Sequence, residues 1–259
     1  MKISVIMPAL NEEKNIAAAM TNTLRAFDDF KFDGELIVVN DGSSDGTAQK
    51  VKEHALRDSR IRMIEHPKPH GIGASFWDGV DNSKGDAVMV IPGDNENNPW
   101  EMFRYASLLQ HVDLVIPFLF NKETRSLFRI VLSATYRSII NTTFRVNLNY
   151  TNGTVLYRRS ILTQIKSRSY GFFYQTDILI RVIKAGYLFA EVPYRINIRE
   201  AGVSKAVTFP SLFRVMKGYL RLLRDFYFTD RVDNQIEFTR DSSTERRTSE
   251  LRAEKHAQL

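Results

Sequence analysis

Short apolar runs and longer helical stripes alternate along the first half of the chain. Five runs, Ile3–Met7 (ISVIM), Glu35–Val39 (ELIVV), Ile61–Ile64 (IRMI), Ala87–Ile91 (AVMVI) and Asp113–Pro117 (DLVIP), predict strands mostly buried on both faces. Between them Ile16, Met20, Leu24 and Phe27 recur at helical spacing, as do Ala48, Val51 and Ala55, then Ile72, Phe76 and Val80. This alternation predicts an α/β fold: a Rossmann-like, mostly parallel sheet flanked by helices on both faces. In such sheets ligands bind beyond the carboxyl ends of the strands. The polar clusters PALNEE, NDGSSDGT and PGDNENNP follow the first, second and fourth runs, at that edge.

Two later segments carry a different pattern. Residues 118–145 read as one long helix, with Lys122, Arg125, Arg129 and Arg137 inside an arc of about 120°. Leu127, Ile130, Val131, Ala134 and Ile140 take up much of the remainder. Residues 209–228 repeat the design, with Arg214, Lys217, Arg221 and Arg224 within about 80° and Leu212, Tyr219, Leu223 and Phe226 opposite. Beyond residue 240 the chain is charged and nearly free of large apolar side chains, so a tail without fixed structure is expected there.

Charge sharpens this reading. The net +6 of the 259-residue chain resides in those two segments: 118–145 carries five cations and one anion, 209–231 five cations and two anions. An ordinary wet face mixes signs, whereas arcs of one sign beside apolar surface suit an anionic lipid headgroup region. No base-stacking platform accompanies the cations, so nucleic acid is not the expected partner. Cysteine is absent, which removes disulfide and thiolate chemistry. The N-terminal apolar run is too short for a signal peptide, and no run reaches the roughly 18 apolar residues of a membrane span. The expected location is the cytoplasmic face of a membrane, bound peripherally.

PGDNENNP is the strongest local signal. It aims Asp94 and Glu96 into a turn at the ligand-binding edge, with Asn95, Asn97 and Asn98 as further oxygens. Hard cations such as Mg²⁺ or Mn²⁺ take one or two carboxylates and complete their shell with water and phosphate. Asp41 stands on the turn after the second run, where a carboxylate can accept from a base or ribose. Asp45 is placed to cap the following helix, and Glu12 and Glu13 suit a first helical turn. HGIGASF lacks the third glycine of a dinucleotide-binding loop, since position 76 is Phe.

Taken in order, VIMPALNEEKNI, VVNDGSSDGT, HGIGASFWDGV, VMVIPGDNENNP, NGTVLYRR and FAEVPYRINIREAGVSK resemble the family-2 glycosyltransferases of GT-A fold, over about residues 3–205. The resemblance is to the dolichyl-phosphate mannose synthase (polyprenyl-phosphate glycosyltransferase) branch. It implies a nucleotide-sugar donor (UDP- or GDP-sugar), an inverting transfer and a metal on a D-x-D-type motif. By position it implies Pro8, Ala9, Asn11, Glu12 and Asp41 around the nucleoside, and Asp94 with Glu96 or Asn95 at the metal diphosphate. Arg199, Ser204 and Lys205 match a late element facing diphosphate or acceptor. The chain departs from the family at Asn40-Asp41, where paired aspartates are usual, in the G-D-N-E metal motif, and at Asn149, near where relatives often carry Asp.

Two acceptors remain open. A sugar or protein hydroxyl needs a general base, and Asp177 stands where hydroxyl-acting relatives place one. A polyprenyl phosphate is already ionised near neutrality, its second pKa being about 6, and needs cations: Arg125, Arg129 and Arg137, with Ser204. The expected catalytic set is Asp94, Arg125, Asp177 and Arg199. A non-catalytic membrane-recruited binder is the other class, and whether subunits associate is left open. The expected divisions are 1–207 (transferase, with 118–145 as an inserted acceptor- and membrane-facing helix), 208–230 (basic interfacial helix) and 231–259 (polar tail).

Overall fold

A computed structural model describes residues 1–121, 127–195, 209–229 and 237–257. Seven strands form one sheet: β1 (Lys2–Ala9), β2 (Asp33–Asn40), β3 (Ile61–Glu65), β4 (Ala87–Val90), β5 (Leu114–Leu119), β6 (Leu156–Arg158) and β7 (Phe189–Tyr194). Their order is β3-β2-β1-β4-β6-β5-β7. Only β6 runs antiparallel to its neighbours β4 and β5; the other pairings are parallel. All five expected strands form.

Helices cover both faces because alternate side chains of the central strands point opposite ways. Val5, Met7, Leu36, Val38 and Met89 pack with Met20 and Phe27 of α1 (Ile16–Phe30), Val51 of α2 (Thr47–Ala55) and Met102 of α4 (Pro99–Phe103). Ile6, Ile37, Val39, Val88 and Val90 pack with Phe76, Trp77 and Val80 of α3 (Ile72–Asp81) on the other face. That second core continues into α5 (Leu127–Phe144), α6 (Arg159–Gln164), α7 (Tyr174–Lys184) and α8 (Phe209–Tyr227).

The long helix expected over 118–145 is shorter. Residues 118 and 119 extend β5, which pairs with β7 as far as Leu119↔Tyr194, and the described helix α5 spans Leu127–Phe144. Its two sides differ: Ile140 and Phe144 are buried, whereas Leu127, Phe128, Val131 and Ile139 are exposed. Phe144 packs against Tyr219, Phe226 and Tyr227 of α8, and Gly218 lets α8 come against Phe173, which a Cβ would meet at 2.7 Å.

The expected unstructured tail is also corrected. Residues Ser243–Ala257 form α9, anchored by the fully buried Asp113. Asp113 accepts from the N–H groups of Ser243 (2.6 Å) and Thr244 (3.0 Å), from the Thr244 hydroxyl and from Arg158 Nε (3.2 Å). Four donors on one carboxylate replace the apolar contacts this polar helix lacks.

Candidate active site

Three adjacent strands, β2, β1 and β4, end at one edge. Asp41 N–H donates to Ala9 O at 2.8 Å and Gly93 N–H to Pro8 O at 3.0 Å, so the three exits are sewn together with buried Pro8 and Ala9 as the floor. Asp41 and Asp94 lie on either side of the end of β1, and the strand spacing sets their loops about 10 Å apart.

The loops after β1 and β2 clasp each other. Asn11, in a left-handed conformation (φ 56), accepts from Ser44 N–H at 2.8 Å and donates its own N–H to Ser43 Oγ at 2.9 Å. Glu12 N–H donates to Thr47 Oγ1 (2.9 Å), and its Oε2 accepts from Asn15 Nδ2 (2.7 Å). Glu13 Oε2 accepts from Gly46 N–H, while Asp45 accepts from Glu13 N–H and, as expected of a cap, from Thr47 N–H at 3.0 Å. Asn11 and Glu12 therefore shape the wall of the edge.

Asp41 is buried and works inward. Oδ1 accepts from His70 N–H and faces His66 Nδ1, both at 2.8 Å, and Oδ2 accepts from Gly71 N–H at 2.8 Å. Burial opposes its ionisation, but the bonds from His66, His70 and Gly71 outweigh that and hold its pKa below the ordinary carboxylate value. Gly42 (φ 72) follows, with the Lys68 backbone 2.6 Å from where a Cβ would stand, so only glycine fits.

In the loop after β4, Glu96 N–H donates to Asp94 Oδ1 at 3.1 Å, and both acids are partly exposed. The asparagines serve the loop itself. Asn95 (φ 59) accepts from Asn22 Nδ2 at 3.0 Å, Asn97 from the Tyr194 hydroxyl at 3.0 Å, and Asn98 caps α4 through Trp100 N–H at 3.0 Å. Asn95 is thus turned toward α1, which leaves Asp94 and Glu96 as the acids of the turn. Among the described residues no group of three or more His, Cys, Asp or Glu could hold a metal ion. Two hard carboxylates with no third anionic ligand fit Mg²⁺ or Mn²⁺ sharing its shell with a diphosphate.

The remaining expected residues are distributed elsewhere. Arg129 and Arg137 lie on α5, in the same sector as Ile140 and Phe144, within about 80°. They therefore share the side that carries the buried residues instead of opposing it. Arg137 Nη1 donates to Asn149 O at 3.3 Å. Asp177 sits between α7 and α8, 3% exposed. Its Oδ1 accepts from Arg181 Nε at 3.2 Å, and Arg181 Nη2 reaches Asp225 on α8 at 2.7 Å. A base for an incoming hydroxyl must be reachable, and Asp177 in this position is closed off. Arg125, Arg199, Ser204 and Lys205 lie outside the described residues.

The β2-β1-β4 edge with an acid-tipped turn after β4 matches the sequence comparison: residues 4–166 match the family described as Glycosyl transferase family 2. The chain belongs to this family. The transferase is 25% identical over 232 residues to a dodecaprenyl-phosphate galacturonate synthase of Rhizobium johnstonii, covering 88% of this chain and 67% of that protein. It is 30% identical over 217 residues to a polyprenol monophosphomannose synthase of Mycolicibacterium smegmatis, 78% of this chain and 79% of that protein. With a Bacillus subtilis glycosyltransferase the match, 29% over 147 residues, spans only 44% of the relative's length. Among solved structures, glucosyl-3-phosphoglycerate synthase from Mycobacterium tuberculosis crystallised with Mg²⁺ and UDP superposes with a TM-score of 0.68 at 20% identity, covering 86% of this chain and 79% of that one. Its complex with Mn²⁺, UDP-glucose and phosphoglyceric acid gives 0.67 at 21%, with the same coverage. These structural likenesses establish the expected GT-A fold.

Sequence reasoning missed Asn22, His66 and Tyr194. Tyr194 was hidden because β7 was not recognised as a strand, and Asn22 sits among the polar positions of α1. His66 had a signal, standing two residues past the apolar run Ile61–Ile64 at the ligand edge.

Proposed function

We propose that this transferase moves a sugar from a nucleotide-sugar donor to a polyprenyl phosphate at a membrane surface, with inversion and with Mg²⁺ or Mn²⁺. The two relatives named as polyprenyl-phosphate sugar synthases support the acceptor class. The observation that carries the reading is the three-sector division of α8. Val215, Tyr219, Leu222, Leu223 and Phe226 face the core. Phe213, Met216, Leu220 and Tyr227 are exposed, within about 60° of one another. Arg214, Lys217, Arg221 and Arg224 occupy the next sector. Exposed aliphatic and aromatic side chains cost free energy in water and are recovered by burial in an interface, and the adjoining cations match anionic lipid. The exposed Leu127, Phe128 and Val131 of α5 add to the apolar surface. Among the described residues no helix is long and apolar enough to cross a membrane.

Asp94 and Glu96 would hold the metal, which when bound supplies Lewis-acid stabilisation of the leaving diphosphate. The clasped β1 and β2 loops form the wall for the nucleoside. Arg129 and Arg137, with Arg125, attract and orient the acceptor phosphate. Because a lipid phosphate arrives ionised, the chain needs no general base, and the burial of Asp177 is consistent with that. A screen of UDP- and GDP-sugars with Mn²⁺ for thermal stabilisation tests the donor half. A raised unfolding temperature with one nucleotide class is expected, and no response to any nucleotide sugar overturns the reading.

A further inference from the structure

His66 directly follows β3 and is buried. Its N–H donates to Asn40 O at 2.9 Å, continuing the β2–β3 ladder one step past the strands. The ring lies between two carboxylates: Nδ1 is 2.8 Å from Asp41 Oδ1, and Nε2 is 2.9 Å from Asp78 Oδ2 on α3. Ionised carboxylates only accept, so both contacts are hydrogen bonds when each ring nitrogen carries its proton. The ring also stacks on His70, with centroids 4.7 Å apart and planes at 26°.

These contacts converge on one loop. Asp41 holds residues 66–71 through the N–H groups of His70 and Gly71, and Gly71 opens α3. His66 is the side chain that fixes the Asp41 carboxylate from the remaining direction, and Asp78 in turn fixes His66. The loop borders the β2 side of the edge, while Asp94 and Glu96 occupy the β4 side. A diphosphate at the acids therefore leaves its nucleoside to the side that His66 organises.

We propose that His66 is a positioning residue for the donor's nucleoside, acting through Asp41 and the His70–Gly71 backbone. This rests on the nucleotide-sugar reading above. His66→Phe keeps the ring stacking on His70 and removes both carboxylate contacts. Asp78→Ala, at a half-exposed side chain, leaves the core intact and frees Nε2.

The test measures Mn²⁺-dependent binding of UDP and of GDP to the full chain by titration calorimetry, with donor and acceptor kinetics and thermal unfolding alongside. His66→Phe is expected to weaken nucleotide binding and raise donor KM by about tenfold, on the scale of one charge-assisted hydrogen bond. Acceptor KM should be unchanged and kcat should stay within about twofold. Asp78→Ala should shift donor KM the same way by a smaller factor, and it decides alone if His66→Phe does not fold. Wild-type nucleotide affinity in the variants, with only a lowered unfolding temperature, overturns the inference and leaves the donor reading standing. A fall in kcat at unchanged donor KM overturns it too. If the wild-type chain binds neither nucleotide, the donor reading fails and the inference fails with it.

Discussion

Asp177 and Arg181 meet one helical turn apart inside the α7–α8 contact, Nε to Oδ1 at 3.2 Å, and the second oxygen of Asp177 is buried without a hydrogen-bond partner. Burial raises the Asp177 pKa, Arg181 and Arg221 oppose it, and the result is about 6. A raised carboxyl pKa favours the protonated native state. Its contribution to stability is full below the unfolded value near 3.8 and is lost as pH rises through about 6. That span amounts to about 3 kcal/mol. Asp177→Asn should remove this dependence and raise stability near neutrality, since Arg181 keeps Asp225. Urea unfolding at pH 4, 5, 6 and 7 checks it, and a variant with the wild-type slope contradicts the assignment. Transfer should fall only modestly; a severe loss would restore Asp177 as a base for a hydroxyl acceptor.

The turn after β4 is expected to fail differently. Asp94→Asn keeps the shape and the acceptor for Glu96 N–H but removes a charge, so folding should survive. Transfer should drop by at least about a hundredfold, the scale of lost metal stabilisation of a leaving group. Glu96→Gln should lose less. A chelator should abolish wild-type activity and added Mn²⁺ or Mg²⁺ restore it. Wild-type turnover by Asp94→Asn would refute the metal role.

The outer strip of α8 predicts membrane affinity independently of catalysis. Phe213→Ser with Leu220→Ser should cut binding to anionic vesicles by more than about tenfold, because each large side chain is worth up to 1.5–3 kcal/mol when buried. Lys217→Ala or Arg224→Ala should cost about fivefold each, from roughly 1 kcal/mol per basic residue, and this part should shrink in high salt. Vesicle flotation reads both. Equal flotation of the Ser variants would move the membrane contact elsewhere.

Asp113 holds α9 from the far end of the sheet. Asp113→Ala strips the first turn of α9 of its acceptors and leaves Arg158 without its carboxylate. A loss of about 3 kcal/mol is expected, between that of a lost helix cap and that of a broken buried ion pair. Hydrogen exchange should rise first over residues 243–250 and leave β1 protected. Uniform loss of protection would show that α9 is integral to the core.

What was legible followed the length of each pattern. β1, β2 and β4 are each dominated by apolar residues, with Ser4 the one polar break inside ISVIM, and the sequence places Asp41 and Asp94 just past the ends of β2 and β4. β6 has three residues, too few to show a period. The start of α5 was misread because Phe118 and Leu119 suit a strand or a helix, and pairing with β7 decided it. α9 was missed for lack of apolar residues, although Ser242–Glu245 carries the Ser-x-x-Glu signature of a helix start, and Ser242 Oγ does accept from Glu245 N–H at 3.0 Å. The asparagines after Asp94 looked like ligands in one dimension; their partners Asn22 and Tyr194 come from α1 and β7, which only the fold brings near. The same holds for Asp177, whose burial depends on α8.

The decisive measurement is transfer of labelled sugar from a stabilising nucleotide sugar to a short polyprenyl phosphate, by the purified wild-type chain and by Asp94→Asn with Mn²⁺. An organic-soluble, acid-labile sugar phosphate is expected from the wild type and not from the variant. Label passing to a soluble sugar hydroxyl, with none in the lipid, would contradict it.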